Sequence, residues 1–544
     1  MRHSVLLITL LAVAALQLAA APRPNIVIMM ADDMGYSDIG CYGGEIRTPA
    51  LDRLAANGLR FTQFYNTGRC CPTRATLLTG LYPHQTGIGH MTSEDTRFRF
   101  DLGYPGYRGF LNRECVTIAE ALRPAGYKTL MAGKWHVGTF EGMWPVDRGF
   151  DEFYGIVRGA SNFFHPNPDK LLSRNRTPVV PDDDLYTTDA FTDHAIEFVR
   201  DAGRRDDGQP FFLYLAYTAP HWPLHAWPED VAKYRGQYLK GWEALRSERH
   251  ARMVKMGLIR PEWKLSPLDA PRWEALPLGT REEMDHRMAI YAAMVDRMDQ
   301  NIGRFARALE ELGELDNTLI LFLADNGGCA EGGNLGGGPA EQLGTKKGYF
   351  LTYGQGWANA SNTPFRRYKH WVHEGGAASP LIVHWPAAIQ DKGALRHEPA
   401  HLIDLMATSL DVAGARYPSE YNGNRIVPLE GVSLVPAFSG KPLGREAIYW
   451  EHEGNRAVRF GKWKLVSMHP NDWELYDMEA DRTELNDLSA ENPEIRTKMI
   501  AMYEAWAKRC NVLPGRPERK PGYEPPPLPY PKMADYPTWE EWAK

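Results

Sequence analysis

The chain has 544 residues, with 62 Lys and Arg against 68 Asp and Glu and a formal net charge of −6. That length accommodates a large α/β domain with a smaller one beside it. The mixed charge without long basic tracts argues against a nucleic-acid binder. The six cysteines, at 41, 70, 71, 115, 329 and 510, do not make a disulfide scaffold in a chain this long, although one or two bridges stay open.

Arg2 and His3 precede an apolar run over residues 5–20 that closes in small residues at Ala20 and Ala21. This is the pattern of a secretory signal peptide cut near Ala21. The run is short for a membrane span, so the expectation is a periplasmic or secreted protein with no stable membrane insertion after cleavage. An uncleaved anchor is the alternative. Asn175 and Asn359 each open a glycosylation sequon, which matters only in a eukaryotic secretory pathway.

Residues 26–30 form an unbroken apolar run, the pattern of a central strand covered on both faces. Asp32 and Asp33 follow at once. The carboxyl end of such a strand is where α/β folds build sites. Two adjacent carboxylates there repel each other unless a cation intervenes, and hard oxygen donors suit Ca²⁺ or Mg²⁺. An Asp N-cap and an ordinary turn are the plainer reading. Thr48-Pro49 opens a helix that Gly58 stops, and residues 61–65 read as a strand.

That strand leads into Thr67-Gly68-Arg69-Cys70-Cys71-Pro72-Thr73-Arg74-Ala75-Thr76-Leu77-Leu78-Thr79-Gly80, a turn feeding a short helix. Pro72 suits the first helical turn, where its missing N–H costs nothing, and Gly80 can end the helix. Cys70 then sits at a helix N-terminus, where unpaired N–H groups favour an anion, and Arg74 lies four residues on, within reach of the same end. A helix-capping loop around a buried cysteine, or a simple thiol nucleophile, fits the same residues.

Residues 117–122 read as a helix and 127–131 as a strand, followed by Gly133-Lys134-Trp135-His136-Val137-Gly138. If the strand continues, Lys134 and His136 share a face. Residues 145–184, rich in Gly, Pro, Asn and aromatics, read as loops over the site, and 189–199 as a helix. Residues 210–217 form a second buried strand, with His221 and His225 in the proline-stiffened loop after it. The charged, tryptophan-rich stretch 231–278 reads as an insertion with helices at the rim, part of substrate access. Met288, Tyr291, Val295, Met298, Ile302, Phe305, Leu309 and Leu312 keep a three-and-four spacing, which predicts a long amphipathic helix on the sheet.

Residues 317–324 form a third buried strand, and Asp325 and Asn326 follow it as Asp32 and Asp33 follow the first. The repetition makes a shared metal site more probable than either motif alone. The glycine-rich stretch 332–356 lacks the Lys-Ser or Lys-Thr ending of a phosphate loop and reads as an access loop. Then come Lys369, His370, His373 and Glu374-Gly375-Gly376, a strand near 380–385 and a helix over 401–413. After a connector at 428–441, four short runs at 447–452, 456–460, 463–467 and 473–476 predict a small antiparallel sheet, and 493–510 a helix. Residues 514–537 are proline-rich and expected to lie extended. The expected units are a signal peptide (1–21), a catalytic domain (22–427), an α+β subdomain (428–510) and a proline-rich tail (511–544).

The spacing Cys70-x-Pro72-x-Arg74 followed by Leu77-Leu78-Thr79-Gly80 closely resembles the maturation and active-site signature of type I sulfatases. The resemblance extends over roughly residues 23–510 and is carried by five separated motifs. It implies a large mixed, mostly parallel sheet flanked by helices, of the alkaline phosphatase kind, with the small antiparallel sheet and helix at the C-terminus. It implies that a maturation enzyme converts Cys70 to formylglycine, whose hydrate is the nucleophile, with Arg74 beside it. By the same resemblance Asp32, Asp33, Asp325, Asn326 and modified Cys70 hold the metal, Ca²⁺ or alternatively Mg²⁺. Lys134 and His136, in Gly-Lys-Trp-His, contact sulfate and the formylglycine hydroxyls. His221 faces the leaving-group oxygen, and Lys369, five residues before Glu-Gly-Gly, binds sulfate and the bridging oxygen. His370 stands where the motif usually has glycine. The implied activity is hydrolysis of sulfate monoesters, of the arylsulfatase type, with a carbohydrate sulfatase as the alternative. A phosphate or phosphonate monoester hydrolase, or a sulfated-glycan binder that has lost catalysis, are the further readings. Trp222, Trp227, Trp357 and Trp371 can stack on aromatic or sugar faces or simply pack.

Overall fold

The structure is a computed structural model that describes residues 23–92, 101–203 and 208–524. The expected signal peptide and the last part of the proline-rich tail lie outside those residues. One sheet collects β1 (Asn25–Ala31), β2 (Leu59–Tyr65), β3 (Lys128–Gly133), β4 (Glu152–Ile156), β5 (Leu172–Arg174), β6 (Thr177–Pro178), β7 (Phe211–Ala216), β8 (Thr318–Ala324), β9 (Ala378–His384), β10 (Leu395–Arg396) and β11 (Ala400–His401). Its order is β10-β2-β9-β8-β1-β7-β3-β4-β5-β6, with β11 also on β2. The pairs β8·β1, β1·β7, β7·β3 and β3·β4 are parallel, and β9 runs antiparallel between β8 and β2.

The centre of this sheet is apolar on both faces, as the unbroken runs require. Side chains alternate, so Val27 and Met29 join one core and Ile26, Ile28 and Met30 the other. The first core is closed by the helices Leu278–Glu311 and Thr187–Gly203, through Met288, Val295, Ile302, Phe305, Phe191 and Phe198. The second is closed by the helices Cys70–Thr79 and Asp404–Ala413, through Ala75, Leu77, Leu78, Leu405 and Met406. The helix predicted from Met288 to Leu312 is thus longer at its N-terminal end, because Met284 also packs inward.

Residues 145–184 are not only loops. β4, β5 and β6 extend the sheet there, and Phe153 and Tyr154 are buried. The strands are short and contain Gly155, which hid them from pattern reading. The glycine is needed, because a Cβ on it would lie 1.9 Å from the Gly133 carbonyl oxygen. The stretch 231–278 also departs from its reading as a substrate-access rim. Its helix Gly241–Lys255 packs inward, with Trp242 buried against Trp273 and Trp357 and the buried Arg249 bonded to Asp38 (2.7 Å) and Glu45 (2.8 Å). All six cysteines are buried and free, so no disulfide forms among them. Asn359 of the second sequon is buried as well, which leaves no room for a glycan in the folded chain.

A two-stranded ribbon, β12 (Glu420–Tyr421) and β13 (Asn424–Arg425), precedes the predicted small sheet, β14 (Ala447–His452), β15 (Asn455–Phe460), β16 (Trp463–Ser467) and β17 (Glu474–Asp477), all antiparallel. The helix Pro493–Arg509 covers one face through Met499, Tyr503 and Trp506. A buried ion network joins this sheet to the large unit. Lys464 Nζ lies 2.8 Å from both Glu374 and Glu484, and Arg482 Nε lies 2.7 Å from Glu374. Glu374 opens the short helix Glu374–Ala377, five residues after Lys369.

Candidate active site

Six chain segments meet at one edge of the sheet. β1, β8, β7 and β3 are parallel neighbours, so Asp32-Asp33, Asp325-Asn326, His221 and Lys134-His136 leave their carboxyl ends side by side. β2 runs the same way and delivers the helix Cys70–Thr79, while the chain from Lys369 to Glu374 enters β9 from this edge. Tight contacts hold the layers together. Asp33 N–H donates to Asp325 Oδ1 (3.0 Å), and Thr73 Oγ1 donates to the Asp325 carbonyl (2.7 Å). A Cβ on Gly327 would lie 1.8 Å from the Gly375 carbonyl oxygen, so only glycine permits that approach.

Three buried carboxylates face three buried cations. Lys134 Nζ donates to Asp32 Oδ2 (2.6 Å), Lys369 Nζ to Asp33 Oδ2 (2.7 Å) and Arg74 Nη2 to Asp325 Oδ2 (3.3 Å), with Arg74 also 3.4 Å from Asp32. Arg74 Nη1 donates to the Lys134 carbonyl (2.8 Å). Burial raises the pKa of Asp32, but Lys134, His221 and Arg74 outweigh it and hold the carboxyl below its ordinary value. Burial and the adjacent Asp32 push Asp325 well above the usual range, and burial would lower Lys369 had Asp33 and Glu331 not driven it well up. The residues present fit a divalent cation. Asp32 Oδ1 and Asn326 Oδ1 are buried oxygens without hydrogen-bond partners, Asp32 and Asp33 have ligand atoms within 4.8 Å of one another, and the donors are hard oxygens.

The nucleophile candidate and the histidines sit above this cluster. Cys70 is 1% exposed at the start of its helix. Its thiol is held well below an ordinary thiol's pKa, first by the Cys71 hydrogen bond, against burial, and then by Lys134 and His136. His136 adopts φ 60° and Asp33 φ 64°, left-handed backbone that is uncommon for non-glycine residues. β3 ends at Gly133, so Lys134 and His136 share the site because of this turn, not because a strand continues through them. Burial lowers the His136 imidazole to about 4, so it is neutral at pH 7. His221 Nε2 lies 3.1 Å from Lys369 Nζ and 3.3 Å from Asp33 Oδ2.

A cavity of about 210 Å³ opens over these groups, lined among others by Cys70, Lys134, His136, His221, Trp222 and Lys369. Arg69, Glu331, Met91 and Tyr349 also line it, although sequence reading assigns none of them a role. A second cavity, about 570 Å³, shares Arg69, Met91, Glu331 and Lys369 and continues past His370, Trp371 and Arg516. Trp222 and Trp371 therefore face the site, whereas Trp227 packs on Phe164 and Trp357 on Trp242. His225 is buried with Nε2 2.8 Å from the Lys347 carbonyl, and His373 is buried 3.5 Å from Glu474, so neither lines the two cavities. No residue of 231–278 lines them either.

Buried lysines and an arginine beside clustered acids, at the carboxyl edge of a mixed sheet where α/β folds build sites, define a broad class, an enzyme site for an anion. Comparison with known proteins narrows it. The family described as Sulfatase matches residues 24–415, and the one described as "N-sulphoglucosamine sulphohydrolase, C-terminal" matches 366–507. The arylsulfatase of Klebsiella aerogenes is 33% identical over 79% of this chain and 95% of its own. The N-acetylgalactosamine-6-sulfatase of Rattus norvegicus is 28% identical over 85% of this chain and 75% of its own. The crystal structure of Ps i-CgsB in complex with k-i-k-neocarrahexaose superposes with a TM-score of 0.67 at 27% identity, covering 91% of this chain and 95% of that one. The chain belongs to the formylglycine-dependent, type I sulfatase family and is a sulfuric ester hydrolase. Among the described residues no helix is long and apolar enough to cross a membrane.

Proposed function

We propose that the enzyme removes sulfate from a saccharide rather than from a small aryl ester. The observation that carries this is the adjacency of the two cavities, whose walls share Arg69, Met91, Glu331 and Lys369. A small aryl sulfate fills only the space of about 210 Å³ beside Cys70, whereas a glycan chain extends into the adjoining space of about 570 Å³. Trp222 and Tyr349 in the first cavity and Trp371 in the second supply faces on which sugar rings stack. The relative named N-acetylgalactosamine-6-sulfatase and the structure solved with a neocarrahexaose point the same way. The Klebsiella arylsulfatase favours the aryl reading. A panel of 4-nitrophenyl sulfate, sulfated monosaccharides and sulfated oligosaccharides separates the two. The expected result is that kcat/KM rises from mono- to oligosaccharide and exceeds the aryl value; the reverse order supports the aryl reading.

In this proposal Asp32, Asp33, Asp325 and Asn326, with the oxygen of modified Cys70, hold Ca²⁺. The ion, when bound, polarises the sulfate oxygens. Cys70 converted to formylglycine by a maturation enzyme supplies, as its hydrate, the attacking hydroxyl. Arg74 orients that group, and Lys134 and Lys369 neutralise charge building on the sulfate oxygens. His136, neutral and next to Cys70, accepts a proton there. His221 donates a proton to the departing oxygen, with Lys369 3.1 Å away. A sugar alkoxide needs that proton more than a nitrophenolate does. His221→Asn should therefore lower kcat by roughly 10²–10⁴-fold on saccharide sulfates, and by clearly less on 4-nitrophenyl sulfate. Equal losses on both would remove His221 from the leaving-group role.

A further inference from the structure

Cys71 has no part in the chemistry above, yet it completes an unusual cluster. Cys70 Sγ lies 3.7 Å and Cys71 Sγ 3.5 Å from Met91 Sδ. A ring nitrogen of His136 and the two thiol sulfurs all lie within 4.8 Å of one another. His136 is 5% exposed and its Nδ1 has no hydrogen-bond partner.

We propose that, before Cys70 is oxidised, Cys70, Cys71, Met91 and His136 form a binding site for one soft cation, Cu(I). The spacing is the first reason. A metal–sulfur bond of about 2.3 Å places tetrahedral ligand sulfurs ~3.8 Å apart, close to the two separations observed. The donor set is the second, because two thiols, a thioether and an imidazole select soft ions over the hard ones that the carboxylates of Asp32, Asp33 and Asp325 prefer. Charge is the third. Binding releases the two thiol protons to solvent, with no change of oxidation state at sulfur or metal, and leaves a thiolate–Cu(I) unit of net charge −1. Lys134 lines the same cavity as Cys70 and His136, and Arg74 lies one helical turn on from Cys70. The cationic pocket that receives an anionic ester in the mature enzyme thus receives an anionic metal–thiolate unit in the precursor. Oxidation of Cys70 removes Sγ and ends the site, so metal loading and maturation exclude each other.

The test uses full-length precursor from a host without the maturation activity, titrated anaerobically with Cu(I) against a chromogenic chelator. The expected result is one equivalent bound, with a near-ultraviolet thiolate-to-copper band. Loss of even outer-shell partners costs metal sites about 10–100-fold in affinity, so Cys71→Ser, which removes a ligand, is expected to cost at least that. Met91→Leu keeps the volume of the side chain and is expected to weaken binding about tenfold or more. Protein in which Cys70 has been converted should bind none. A precursor that holds no more Cu(I) than Cys71→Ser overturns the site. Should that variant not fold, as judged by its thermal melt, Met91→Leu decides: unchanged affinity overturns the four-ligand site.

Discussion

Cys70→Ala is expected to lower kcat by on the order of 10⁴–10⁶-fold, the range in which covalent catalysts fall when the nucleophile is removed, while the protein remains folded. The two halves of that result come from different parts of the structure. Cys70 is small, and the helix it begins is held by Thr73 on the Asp325 carbonyl, by Arg74 on the Lys134 carbonyl and by Ala75, Leu77 and Leu78 in the core. None of those contacts depends on the thiol. The chemistry does in the proposed mechanism, in which the lysines, Arg74 and the clustered acids hold an ester without attacking it. Turnover of a saccharide sulfate alongside a thermal melt checks both halves. Near-full activity in the folded variant would remove Cys70 from the role of nucleophile.

The second large effect is on stability. Lys464→Met is expected to cost about 3–5 kcal/mol, the usual consequence of stripping one partner from a buried ion group. Lys464, Glu374, Glu484 and Arg482 are all fully buried, and Lys464 Nζ contacts both acids at 2.8 Å. Without it, Glu374 keeps Arg482, while the Glu484 carboxylate loses its ion partner and keeps the hydrogen bond from the Glu374 N–H (2.9 Å). Glu374 also accepts a hydrogen bond from Tyr65 OH (3.2 Å), next to the turn into the Cys70 helix, and follows Lys369 by five residues. Chemical denaturation measures the loss. The double variant Lys464→Met with Glu484→Gln should recover part of it, since the carboxylate left without a cation is then gone. A single variant as stable as the parent would mean that water reaches this interface.

Much of the site could be read from the chain because its chemistry lies at the ends of strands that announce themselves. The apolar runs before Asp32-Asp33 and Asp325-Asn326 placed the acids together, and β1 and β8 are adjacent parallel strands as that reading required. The Cys70 segment carried its own turn and helix signals. Other parts gave no local signal. Arg69 meets Glu331 across 262 residues, and neither position stands out from a loop and a glycine-rich stretch. Lys134 and His136 line one cavity through a turn after Gly133 and not through a continued strand, and the left-handed turn at His136 has no pattern of its own. The stretch 231–278 looked like a surface because it is charged. Arg249 is buried only because Asp38 and Glu45 come from elsewhere to meet it, and no spacing rule reports such distant partners.

The anchor between Thr73 Oγ1 and the Asp325 carbonyl has a consequence for biogenesis. Its two ends are 252 residues apart in the chain. At roughly 5–20 residues per second, a ribosome needs about 13–50 s to synthesise that interval. Throughout it, β8 does not yet exist and the nascent Cys70 segment cannot be locked behind it. That delay is an open window for any enzyme that must reach the thiol, and it closes when the strand ending at Ala324 takes its place beside β1.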